Sequence, residues 1–69
     1  MKLSARNVLK GKVVGVEPGM VTTIIKIDLG GGAIITSSIT KSAADEMALS
    51  VGDEAFAVIK ASDVLVGKP

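Results

Sequence analysis

Glycine and proline divide this 69-residue sequence into short segments that are rich in β-branched side chains. Nine valines and seven isoleucines together supply 16 of the residues, and such side chains favour the pleated surface of a β-sheet. One segment in the second half instead carries the alanine and methionine that favour a helix. The sequence therefore predicts an all-β protein with one short helix.

The segment boundaries predict five strands, with the helix between the third and the fourth. We expect strands at residues 7–17, 20–29, 33–40, 54–60 and 63–66, and a helix at residues 43–49. Pro18-Gly19 suits the first turn, the three glycines at 30–32 suit the second, and Ser42 with Asp45 has the pattern of a helix N-cap. Alternation alone does not separate an OB-like from an SH3-like barrel. The β-β-β-α-β-β order favours an OB-like five-stranded barrel.

The apolar content is high for so short a chain, since 48% of the residues are hydrophobic. A domain of about 60 residues buries only about 60% of the surface that its unfolded chain exposes. Small domains are commonly stabilised by disulfides, a metal or self-association, and this chain has neither cysteine nor histidine. Ile24 and Ile25, like Ile34 and Ile35, place apolar groups on both faces of a strand. We therefore expect copies of the chain to pack against each other.

The composition also excludes several kinds of function. Without cysteine and histidine there is no thiolate or imidazole metal site and no nucleophilic catalysis by those groups. The seven carboxylates fall mostly at turns and strand ends and form no acid–base pair, so we expect no enzyme activity. A net charge of +1 and the single aromatic residue, Phe56, disfavour nucleic acid as a partner. Without a long apolar run or a signal-peptide core, we expect a cytoplasmic protein and no membrane partner.

Three places in the sequence combine hydroxyl groups with a positive charge. They are residues 4–7, residues 36–42 at the entry to the helix, and residues 60–62. Arginine offers a planar group of N–H donors, lysine carries a localised positive charge, and hydroxyl groups donate short hydrogen bonds. Each stretch alone is typical of a solvated strand end, but together they could surround a small oxyanion, with Thr40 and Ser42 near the helix N-terminus.

The stretch Ser4-Ala5-Arg6-Asn7, followed by Leu9-Lys10-Gly11-Lys12-Val13, resembles the molybdate-binding Mop domains, or molbindins, of the wider TOBE group. The resemblance continues to Val58-Ile59-Lys60-Ala61-Ser62-Asp63-Val64 and covers residues 4–66. It implies an OB-like barrel that assembles as a homohexamer, a trimer of dimers, with oxyanions held at subunit interfaces.

The resemblance also implies which residues bind the anion. Ser4 and Arg6 would come from one subunit, and Thr40, Lys60 and the Ala61-Ser62 segment from its neighbour. Ser42 would replace a hydroxyl that some relatives carry at the position of Ala43. The full set of candidate oxyanion-binding residues is Ser4, Ala5, Arg6, Thr40, Ser42, Lys60, Ala61 and Ser62. Molybdenum or tungsten would be bound as the oxyanion, with no metal cation and no catalytic cofactor.

We therefore predict that residues 1–69 form a single domain that binds molybdate or tungstate for storage or homeostasis. The sequence shows no DNA-binding helix pair and no ATPase domain for the anion to control, which favours storage over regulation. Two alternatives remain open at this point. One is a structural oligomer without a ligand, and the other is an OB-type nucleic-acid-binding module.

Overall fold

A computed structural model describes residues 2–69 and confirms a mostly β chain with one short helix. The elements are β1 (Asn7–Pro18), β2 (Thr22–Gly30), β3 (Ala33–Thr40), α1 (Lys41–Met47), β4 (Glu54–Ile59) and a final 3₁₀ turn (Ala61–Asp63). No helix of the described chain is long and apolar enough to cross a membrane.

The four strands form one antiparallel sheet in the order β3-β2-β1-β4. The long strand β1 pairs with β4 from Asn7 to Lys12 and with β2 from Lys12 to Pro18, so its two halves have different partners. This arrangement curls the sheet into a half-barrel in which β3 and β4 are the two edges. A groove of about 460 Å³ separates these edges, and we call it the β3–β4 groove. Its apolar lining includes Ile25, Ile27, Ile39, Leu49, Phe56 and Val58.

The bend in β1 depends on close packing against β2. A bulge shifts the β1–β2 register between Val13 and Gly15, and glycine is common at such irregularities. At Gly11 the two strands approach so closely that a Cβ atom would lie 2.6 Å from the carbonyl oxygen of Asp28. Gly11 is therefore required by the space available and not by its backbone angles.

The core lies on the concave face of the half-barrel. Val13 is fully buried there and packs with Ile25, Ile27 and Ala57, while Thr23 is the buried polar residue on the same face. Alternate residues of β2 from 23 to 29 face this core. Val21, which falls inside the predicted second strand, lies before β2 and is exposed. The described chain leaves many large apolar side chains outside this small core.

The helix begins two residues earlier than predicted and has a different N-cap. Thr40, not Ser42, is the cap, and its Oγ1 accepts a hydrogen bond from the backbone N–H of Ala43 at 3.0 Å. β3 continues directly into α1 because Thr40 is extended, at φ −66° and ψ 149°, so Ser42 falls inside the first turn. The helix ends at Met47 instead of residue 49, since Ala48 adopts the left-handed conformation and its N–H bonds to the carbonyls of Ala44 and Asp45.

The predicted fifth strand at residues 63–66 does not form in the described protomer. The 3₁₀ turn changes the direction of the chain after β4, so the β-ladder does not continue beyond Ile59. Val64 is extended, at φ −94° and ψ 117°, but residues 64–66 pair with no strand of this chain. The protomer is thus a four-stranded half-barrel and not the closed five-stranded barrel that the element order predicted.

The close approach at Gly11 predicts that Gly11→Ala lowers the free energy of unfolding by about 1–3 kcal/mol, because the new methyl group overpacks against the backbone of β2. Gly15→Ala is the matched control. A Cβ atom at Gly15 would meet only the Lys26 side chain, at 3.3 Å, so a change of less than about 1 kcal/mol is expected. Urea denaturation at one fixed protein concentration measures both. Equal losses in the two variants would contradict this account of β1.

Candidate functional site

The N-terminal and C-terminal candidate residues meet at one end of the sheet. Asn7 pairs with Ile59 at the last position of the β1–β4 ladder, so Arg6 and Lys60 are the next residues on the two adjacent strands. The side-chain Nδ2 of Asn7 also donates a hydrogen bond to the carbonyl oxygen of Ile59 at 3.2 Å, which links the first residue of β1 to the last residue of β4. The ladder therefore places residues 4–6 beside residues 60–62 of the same protomer, whereas the resemblance implied that Ser4 and Arg6 come from one subunit and Lys60, Ala61 and Ser62 from its neighbour. The sequence alone assigned no role to the side chain of Asn7, which makes this hydrogen bond between the two strands.

The two positive charges at this end have no carboxylate partner. Among residues 2–69, the one ion pair joins Lys10 to Glu54 at 3.3 Å. Arg6 and Lys60 are both exposed and take no part in it. Asp63 follows Lys60 by three residues but makes no ion pair with it. An anion at this end of the ladder would therefore meet two positive charges that no carboxylate neutralises.

The turn after Lys60 adds backbone donors to these charges. The N–H of Asp63 donates to the carbonyl of Lys60 at 2.9 Å, and that of Val64 donates to Ala61 at 3.2 Å. Ala61 and Ser62 precede these two donors in the chain. Their N–H groups have no acceptor inside the turn, because the first N–H groups of any helical turn lack one.

The N-terminal segment and Ser62 add hydroxyl groups at the same end. Ser4 and Ser62 are exposed, and Ala5 is half-buried between Ser4 and Arg6. This end of the sheet therefore offers guanidinium, ammonium, hydroxyl and amide donors together.

Thr40 and Ser42 lie at the opposite end of the sheet. Thr40 pairs with Thr22, and the next residue of β2 pairs with Pro18, the last residue of β1. Arg6 precedes the first residue of β1, which is 12 residues long. At about 3.3 Å per residue the strand extends roughly 40 Å along its curved path. The register therefore places Thr40 and Ser42 at the Pro18 end of β1, whereas Arg6 and Lys60 lie at its Asn7 end.

Thr40 nevertheless keeps a donor available. Its Oγ1 uses a lone pair to accept the N–H of Ala43, so its own hydroxyl hydrogen can still be donated to another group. Ser42 is exposed on the first turn of α1 and also carries a free-rotating hydroxyl. This second group of candidates is likewise composed of donors.

None of the eight candidate residues lines the β3–β4 groove, whose lining is mostly apolar. Among residues 2–69 there is also no group of three acidic, histidine or cysteine side chains that could hold a metal cation. The arrangement instead suits a small ligand that accepts hydrogen bonds at the surface of the protomer.

Comparison with known proteins agrees with the chemistry of these residues. A family model described as the TOBE domain matches residues 3–66. A probable molybdenum-pterin-binding protein of Haemophilus influenzae is 54% identical over 67 residues, which cover 97% of each chain. The MopII structure from Clostridium pasteurianum superposes with a TM-score of 0.90 at 42% identity and covers 97% of this chain and 100% of its own. The molybdate-bound structure of ModG, a cytoplasmic molybdate-binding protein, has a TM-score of 0.94 at 48% identity. This chain matches along its whole length and covers 49% of the ModG chain.

The cap geometry predicts that Thr40→Ala lowers the free energy of unfolding by about 1 kcal/mol, since the N–H of Ala43 loses its acceptor. Thr40→Ser should retain most of the stability, because its hydroxyl can accept the same bond. Ser42→Ala should change stability by less than about 0.5 kcal/mol, as expected for an exposed position that is not the cap. Thermal unfolding of the three variants measures this order. A larger loss from Ser42→Ala than from Thr40→Ala would contradict the assignment of the cap.

Proposed function

The chain is a Mop-like member of the TOBE domain family, and we propose that it binds molybdate or tungstate as an intact oxyanion at contacts between copies of itself. The candidate ligands are the charged groups of Arg6 and Lys60, the hydroxyls of Ser4, Thr40, Ser42 and Ser62, and backbone N–H groups of Ala5 and Ala61. Its relatives are described as molybdenum-pterin-binding or molybdate-binding proteins, which supports the choice of ligand.

The observation that carries the proposal is the pair of unneutralised cations at the end of the β1–β4 ladder. Arg6 and Lys60 lie side by side without a carboxylate partner, and the donors of the 61–62 turn lie next to them. Two positive charges balance one dianion, which matters because an unpaired buried charge is costly.

The donor-only character of the site favours one class of anion. Molybdate and tungstate are tetrahedral dianions that are fully deprotonated near neutral pH, so they only accept hydrogen bonds. A protonated phosphate would direct its own O–H at a donor, and that mismatch is expensive once water is excluded. Sulfate also accepts only, so discrimination against sulfate must come from the size of the completed cavity, since molybdate is the larger anion.

The position of Thr40 supports a site that needs two copies. Thr40 and Ser42 lie at the Pro18 end of β1 and Arg6 and Lys60 at its Asn7 end, which differs from the grouping that the resemblance implied, and this separation supports a site that draws the two groups from different protomers. We propose a homohexamer, a trimer of dimers, as the assembly that provides such contacts. An anion held between protomers would also stabilise the assembly by linkage.

We propose molybdate itself, and not a molybdenum–pterin compound, as the ligand. A pterin ring calls for a flat stacking surface, and the single aromatic residue of the chain is Phe56. Phe56 lines the apolar β3–β4 groove on β4, away from the ladder end that carries Arg6 and Lys60.

The proposed role is storage or homeostasis of the anion in the cytoplasm, by a single domain of residues 1–69 that is not an enzyme. The cytoplasmic setting is supported by ModG, which is described as cytoplasmic. The binding role is supported by relatives that are named for what they bind and not for a reaction.

Isothermal titration with sodium molybdate tests the proposal with two variants. Arg6→Ala and Lys60→Ala should each weaken binding by at least about thirtyfold, the lower limit for removing one partner of a buried charged contact. Lys26→Ala is the matched control, since it removes one positive charge from an exposed position on β2 and should leave affinity within about twofold.

Two outcomes of this titration would contradict the proposal. One is retained affinity in Arg6→Ala with the oligomer intact, which would show that the cationic end of the ladder is not the site. The other is complete displacement of molybdate by excess sulfate, which would show that the cavity does not select the larger anion.

A further inference from the structure

The entry to α1 carries a positive charge that is not among the candidate ligands. The stretch at residues 36–42 is one of the three that combine hydroxyl groups with a cation, and its cation is Lys41. The cations of the other two stretches, Arg6 and Lys60, are both candidate ligands. Lys41 lies between two candidate residues that carry hydroxyl groups, but it is not itself one of the eight candidates.

The ammonium group of Lys41 has no carboxylate partner in the protomer. Lys41 is exposed and takes no part in the one ion pair found among residues 2–69. Asp45 follows it by four residues on α1, a spacing at which opposite charges can pair, yet these two form no ion pair. The backbone N–H of Lys41 donates to the carbonyl oxygen of Val21 at 2.9 Å, so the main chain is held at this position while the charged group is left unpaired.

The charge of Lys41 is unfavourable for the helix that it begins. Lys41 is the first residue of α1, and the N–H groups at the start of a helix carry partial positive charge, so this position favours an acidic side chain. The first turn of α1 contains no acidic residue that could offset the lysine. The charge therefore opposes the stability of α1, which points to a use outside the folding of the protomer.

We propose that Lys41 is a third cation of the anion site and enters it together with Thr40 and Ser42 of the same copy. The inference rests on the proposed function, because Lys41 approaches the anion only where these two residues do. The lysine side chain is long and flexible, so its ammonium group can approach an anion that the hydroxyls on either side contact.

A third cation changes the charge balance of the site. The candidate side chains would then carry three positive charges, from Arg6, Lys41 and Lys60, against the two negative charges of molybdate. An excess of one sign of charge attracts the opposite ion from a distance, and salt screens this attraction at an exposed group more than at a buried contact. Lys41 should therefore strengthen binding most at low ionic strength.

Isothermal titration with sodium molybdate at several concentrations of sodium chloride tests this role. Lys41→Gln should weaken binding about three- to tenfold at about 20 mM salt and less than about twofold at about 0.5 M. Lys41→Arg keeps the charge and should bind within about twofold of the unsubstituted chain. Lys26→Gln is the matched control, because it removes the same charge from an exposed position on β2 and should change affinity less than about twofold at every salt concentration.

Charge reversal separates a binding role from a structural one. Lys41→Glu should raise the midpoint of thermal unfolding of the anion-free protein by at least about 2 °C, because an acidic residue then begins α1. The same substitution should weaken molybdate binding by at least about tenfold at low salt. Lys26→Glu makes the same change of charge away from the helix and should show neither effect. Circular dichroism at one fixed protein concentration measures the midpoints, and a loss of both stability and affinity in Lys41→Glu would indicate a structural role and contradict the proposal.

The titration also distinguishes failure of this inference from failure of the proposed function. If Arg6→Ala loses binding while Lys41→Gln binds as tightly as the unsubstituted chain at every salt concentration, Lys41 is not part of the site and the proposed function stands. Equal losses in Lys41→Gln and Lys26→Gln would show that only the net charge of the chain acts, which also overturns the inference. If the unsubstituted chain binds no molybdate, the proposed function fails and this inference fails with it.

Discussion

The antiparallel pairing of β1 with β4 is the contact on which the rest of the structure depends. It joins Asn7 to Ile59 across 52 residues of sequence and so places Arg6 beside Lys60. Because β1 uses its other half to pair with β2, the same strand also forces the sheet to curl. Because β1 pairs with both β4 and β2, it accounts both for the end of the sheet that carries Arg6 and Lys60 and for the open β3–β4 groove.

The sequence predicts the elements whose signals are local. The first three strands and the helix appear close to the expected bounds, since β-branched runs, glycine turns and an alanine-rich stretch act over a few residues. The N-cap differs because β3 runs into α1 without a loop, so Thr40 reaches the first turn before Ser42 does. The fifth strand differs because strand formation requires a partner edge, and the alternation in residues 63–66 does not supply one.

For the candidate site, the sequence identifies the kinds of residue better than their grouping. Hydroxyls next to cations at three places predict a donor-rich site, and the family match supports that chemistry. Only the strand register reveals that Arg6 and Lys60 share one end while Thr40 lies at the other. This separation is the reason for the proposal that two copies of the chain supply the donors for one anion.

The central claim is that molybdate is bound between copies of this chain, and native mass spectrometry of the intact assembly tests it most directly. Protein equilibrated with molybdate and then exchanged into volatile buffer should appear as a hexamer that carries additional mass in multiples of the anion. The same sample dissociated to protomers should lose that mass. A hexamer without bound anion would contradict the account and favour a purely structural oligomer. Anion retained by isolated protomers would contradict the placement of the site between copies.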